Sequence, residues 1–173
     1  MKYLKIFFFI LFLFNIYNYS FSAELYFIDM KKILNQSKAG KSAQEYLKKK
    51  LSEETKKFDK EQASLKKEET ELIGKKKLIS AEEYKKNLTA LRKKNIAHQK
   101  SRQLAANEIF KKKEKARSEL NKALKPILEK YMSENNISVV IDKKNIVVAK
   151  TEIDLTDKIL KLLDKDLKSI NLK

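Results

Sequence analysis

The sequence predicts an α+β fold: a small β-sheet body with short helices, interrupted by a long antiparallel α-helical hairpin that forms a coiled-coil-like arm. Three observations lead there. Only two Gly and one Pro occur in 173 residues, and 36% of the chain is charged, so residues that break helices are scarce. Leu51, Phe58, Leu65 and Leu72 recur at intervals of seven, the spacing of a stripe along one helix face. β-branched residues concentrate instead in "ELYFID" and "NISVVIDKKNIVVA", where they suit a pleated surface.

The chain begins "MKYLKIFFFILFLFNIYNYSFSA", with Lys2 and Lys5 ahead of an apolar run over residues 6–14 and small residues at Ser20 and Ser22. That is the layout of a secretory signal peptide over residues 1–22, cut before Ala23. The apolar run falls well short of the roughly 20 residues that a spanning helix needs; an uncleaved anchor is the alternative.

"ELYFID", residues 24–29, reads as a strand, and "MKKILNQSKAG" as a brief helix that Gly40 is placed to end. From Ser42 a helix is expected to run to Ile73. The second seam position that should accompany its heptad is Thr55, Gln62 and Glu69, or Glu54, Glu61 and Glu68, so the apolar stripe is one residue wide. Gly74 breaks the helix, and Ser80 with Glu83 forms a capping box that starts a second helix over residues 81–125. Its apolar positions cluster at the tip (Tyr84, Leu88, Leu91) and at the base (Leu120, Leu124, Ile127, Leu128, Tyr131), with Asn95, His98 and Arg102 in the seam between.

Pro126 is expected to kink or restart this helix, because it lacks an N–H and its ring clashes with the preceding turn. Residues 136–149 then read as a hairpin of two strands, 137–141 and 146–148, and a last helix begins near Asp154 or Thr156 with Ile159, Leu160, Leu163 and Leu167 on one face. The mature chain divides into a β-rich body, residues 23–41 and 126–173, and an arm, residues 42–125. A lone hairpin is marginal in water, so the body needs further strands or helices to cover it.

Net charge is +17, of which Lys2 and Lys5 account for two, leaving +15. Residues 42–125 hold 25 Lys and Arg against 13 Asp and Glu, a net +12 that leaves +3 for the body. No acidic residue lies between Glu83 and Glu108, whereas Lys85, Lys86, Arg92, Lys93, Lys94, Lys100 and Arg102 do. Like charges at helical spacing repel, so this cluster is a candidate surface for polyanions or anionic surfaces, against the alternative of a solvated helix face.

Enzymatic chemistry has little to build on. There is one His and no Cys, so neither a zinc site of the usual kind nor a Cys or Ser–His nucleophile is easily assembled. His98 is expected at the arm surface or in its seam, not as a ligand. Two glycines make no phosphate cradle, and Glu53/Glu54, Glu68/Glu69 and Glu82/Glu83 are adjacent helix residues that point about 100° apart. No cofactor is expected.

The order of "ELYFID", "ILNQSKAGKSAQ", the basic helical hairpin, "ISVVIDKKNIVVA" and "DLTDKIL" behind a signal peptide resembles the Skp/OmpH family of periplasmic chaperones over the whole mature chain. The resemblance rests on this ordering and on no one motif. It implies a homotrimer around a shared β-barrel, with Leu25, Phe27, Val139, Ile141 and Val147 as candidate interface residues. It also implies a cavity between three arms that holds unfolded outer-membrane proteins without ATP, with lipopolysaccharide or anionic lipid as a further partner. Two rival readings remain open at this point. A non-specific nucleic-acid-binding protein fits the pI of about 9.8 but not the export signal or the lack of a base-reading module. A structural spacer or tether of the envelope would want a filled seam where Asn95, His98 and Arg102 stand.

Overall fold

The computed structural model describes residues 24–172; the signal segment lies outside them. The element order is β1 (Leu25–Ile28), α1 (Met30–Gln36), α2 (Lys38–Lys75), α3 (Ala81–Glu134), β2 (Val139–Asp142), two 3-10 turns (Lys143–Asn145 and Thr151–Ile153) and α4 (Thr156–Asp166). At about 1.5 Å per residue, α2 and α3 extend roughly 57 and 81 Å. They form the antiparallel hairpin, turned at the tip where Ser80 Oγ accepts from the Glu83 N–H at 3.1 Å.

The sheet corrects the hairpin expectation. β1 and β2 pair in parallel, Leu25 beside Val139 and Ile28 beside Asp142, and parallel strands require a long crossover. Here that crossover contains the whole arm. After β2, Asp142 Oδ1 accepts from Lys144 N at 3.3 Å and turns the chain into the first 3-10 turn. Val147 and Val148 are then 104% and 87% exposed and belong to no strand. β-branched residues favour a strand only where a partner is available, and among the described residues β2 pairs with β1 alone. The other edge of β1 is met by the residues that lead into the last helix, Phe27 bridging Asp154 in parallel and Leu155 N donating to Phe27 O at 2.9 Å.

Two further expectations change. Gly40 does not end α1; Ser37 does, with its N–H on Ile33 O, while its Oγ caps α2 by accepting from Gly40 N at 3.1 Å. A Cβ on Gly40 would lie 2.0 Å from Leu34 O, so glycine is there to let the two helices meet at a tight corner. Pro126 does not restart the second long helix, which continues through it to Glu134. That helix ends with Asn136 at φ 55° and Ile137 N donating to Met132 O at 2.9 Å, the left-handed stop that Asn tolerates after Gly best.

The body core joins both ends of the chain. Ile33, Leu155, Ile159 and Leu163 are fully buried, with Ile28, Ala39, Leu120, Leu124, Ile127 and Ile137 around them. Thr156 ties the halves together: its Oγ1 accepts from Asp29 N at 2.8 Å and itself donates to Asp154. Leu155, the residue before α4, supplies no side-chain cap, and Asp154 instead receives the Thr156 N–H.

Candidate functional site

Among the described residues the arm's seam is closed at its tip, middle and base, and it opens between the middle and the base. At the tip Leu65, Leu72 and Leu91 are buried together, with Ile79, Tyr84 and Leu88 against them. At the middle His98, 6% exposed, takes the place of an apolar knob. Its Nε2 sits 3.2 Å from the Phe58 carbonyl oxygen, its ring meets Phe58 edge-on at 5.7 Å and 73°, and the Glu61 carboxylate lies 3.8 Å away. Such a bond fixes the register of the two helices where the apolar stripe is too narrow to do so. At the base Ala43 and Ala116 meet beneath Leu172.

Between middle and base the heptad residue Leu51 remains exposed. Opposite it stand Ala105, Ala106 and Ile109, and a cavity of about 140 Å³ opens among them beside Phe58 and Arg102. Small residues on α3 leave Leu51 unfilled, so the one-residue stripe buries Phe58, Leu65 and Leu72 but not its first member.

The seven basic residues named from the sequence are all exposed, but they do not form one cluster. At about 100° per residue, Lys85, Lys86, Arg92, Lys93 and Lys100 fall on the face of α3 away from Leu91 and His98. Lys94 and Arg102 flank the seam instead. Lys94 Nζ bonds Glu68 at 2.6 Å across the hairpin, and Arg102 lines the Leu51 cavity.

Sequence reading missed the apolar members of this outward face. Ile96, Leu104 and Phe110 are 66%, 56% and 62% exposed, and the same rotation places them among the outward cations. Their signal was readable as apolar residues out of phase with Leu91 and His98. The result is a long helical face mixing cations with isolated large apolar side chains, and at the tip Ile73 and Leu78 are exposed beside Lys75, Lys76 and Lys77. Among the described residues no group of three or more His, Asp or Glu could hold a metal ion, and no helix is long and apolar enough to cross a membrane.

Of the candidate interface residues, Phe27 is already buried within the single chain and Ile141 is half-buried, while Leu25, Val139 and Val147 are exposed. Val147 stands apart from the sheet that holds the other four.

Residues 24–163 match the family model described as Outer membrane protein (OmpH-like). The fold is similar to the crystal structure of a Caulobacter crescentus protein put forward as an outer membrane chaperone (OmpH-like), with a TM-score of 0.78 and 22% identity, over 85% of this chain and 87% of that one. No curated protein sequence matches the chain.

Proposed function

The chain belongs to the OmpH-like family, and from that premise we propose that it is an ATP-independent periplasmic holdase that keeps unfolded outer-membrane proteins from aggregating. The observation that carries this reading is the outward face of α3, where Ile96, Leu104 and Phe110 stand exposed among Lys85, Arg92, Lys93 and Lys100. A single exposed apolar side chain is ordinary on a protein surface; three large ones recurring along one cationic helix face give a client repeated points of contact. Spaced singly along a stiff arm, they touch apolar stretches of a client weakly and at many points, which retains it without a deep pocket. The cations attract acidic clients, and lipopolysaccharide or anionic lipid, over a range that salt shortens.

A homotrimer suits the body. The outer edge of β2 meets no strand among the described residues, and such an edge is a template for another chain; Leu25, Val139 and Val147 are exposed in that neighbourhood or just beyond it. Three bodies, each formed by residues 23–41 and 126–173, would set three arms around one cavity. Residues 1–22 direct export to the periplasm.

Replacing Ile96, Leu104 and Phe110 together by Ser tests the reading. The concentration of chain that half-suppresses light scattering by a urea-diluted outer-membrane barrel protein should rise about tenfold, a change of about 1.4 kcal/mol in capture, with helicity unchanged. An unaltered half-point would refute the role given to this face.

A further inference from the structure

We propose that the cleft between the bases of α2 and α3 is a binding site for an extended polypeptide segment with an apolar residue at every second position, occupied in cis by the chain's own C-terminal tail. The proposal rests on the client-binding reading above and names one place where a client strand is held.

α4 ends at Asp166, and residues 169–172 run back along the arm base without helix or strand. Ile170 and Leu172 pack inward while Asn171 between them faces out, the alternation of an extended chain. Leu172 is 3% exposed, seated on Ala43 and Ala116 with Tyr46 and Leu47 beside it. Two alanines at this crossing leave the room that a larger pair would fill. Lys112 Nζ donates to the Leu172 main-chain carbonyl at 2.5 Å and stands 5.9 Å from the centre of the Tyr46 ring.

The cleft therefore reads an apolar side chain by shape and the backbone by one charged donor, and neither contact depends on the rest of the sequence. Strands of outer-membrane barrels alternate apolar and polar residues with the same period of two, so an unfolded barrel segment presents what Ile170, Asn171 and Leu172 present. The tail lies beyond residue 163, where the family match ends. An irregular segment on the surface opens more readily than a core. The cleft's apparent affinity for a client is then lowered by the fraction of time that the tail is in place.

A fluorescein-labelled peptide of the tail sequence KSINLK is titrated by anisotropy against the parent chain, a Leu172→Ser chain and a chain ending at Asn171. Either change removes the Leu172 anchor that holds Ile170 down, and circular dichroism checks that both variants stay folded. They should bind KSINLK about tenfold more tightly than the parent does. The peptide KSSNSK should bind them at least tenfold more weakly than KSINLK.

The native sequence has no cysteine, so in a folded Ala116→Cys, Leu172→Cys chain oxidation ties the tail into the cleft. It should abolish binding of KSINLK, and reduction should restore it. Equal affinity of parent and variants, equal binding of both peptides, or indifference to oxidation would overturn the proposal. Aggregation suppression by the parent is measured alongside. Its absence with the tenfold ratio intact would refute the client reading and leave the cleft, whereas suppression with a ratio of one would refute the cleft alone.

Discussion

Gly40 shows how a single residue can be recognised and misassigned. Its place after "MKKILNQSKA" suggests the end of α1, but it is the third residue of α2, and its need is steric. A Cβ 2.0 Å from Leu34 O must displace backbone, so Gly40→Ala should destabilise the body by about 3 kcal/mol, read as a lowered thermal midpoint. No sequence pattern announces such an approach, because it depends on the angle between two helices. A charge pair gives a different test. The Lys32 ammonium, 2.6 Å away, holds the Asp157 carboxyl below its usual 3.8, and Asp157 raises Lys32 above its usual 10.5. A lowered carboxyl contributes stability above about pH 4 that fades as pH falls through its folded value. A raised ammonium contributes below about pH 10 and fades as pH rises through its own. The Asp157→Asn variant should therefore differ from the parent across the neutral range and converge with it at both extremes, by a small amount since both groups are exposed. A difference in melting that persists below pH 2 would contradict this assignment.

Among the helices and strands, the long helical hairpin was legible because its signals are local: sparse breakers, a heptad of apolar residues and the Ser80 cap, whose hydroxyl meets Glu83 N as the spacing implies. The narrowness of the stripe was legible too, and the structure adds its consequence in the open Leu51 cavity. The sheet was misread because pairing is not local. β-branched content identifies residues 137–141 and 146–148 equally well, but β1, on the far side of the arm in sequence, takes the first as its parallel partner and leaves the second without one. Pro126 makes a further prediction. It is exposed and interior to a 54-residue helix, where proline forfeits a backbone bond and crowds the preceding turn. Pro126→Ala should then raise stability by about 1–3 kcal/mol with no change in helix content; a loss of stability would mean that the proline serves the body's packing.

For the assembled protein, charge and shape divide the labour. The arm holds a net +12 and the body +3, so long-range attraction is concentrated where the exposed apolar residues are, and the proposed assembly through the sheet lies on the less charged part of the chain. Changing Lys85, Lys86, Lys93 and Lys100 to Gln should slow client capture and flatten its salt dependence, with helicity and assembly mass unchanged; an unaltered salt slope would remove the steering role. The outward face was half legible: its cations stand out in the sequence, whereas Ile96, Leu104 and Phe110 pass for ordinary helix content until the seam fixes which way is out. The most direct test of the holdase reading is sedimentation velocity of the mature chain mixed with a urea-unfolded outer-membrane barrel protein on dilution, in the absence of nucleotide. A holdase of this kind gives a soluble species with the mass of three chains and one client. A client that pellets as fast as it does alone, beside a chain that sediments as a single copy, would contradict it.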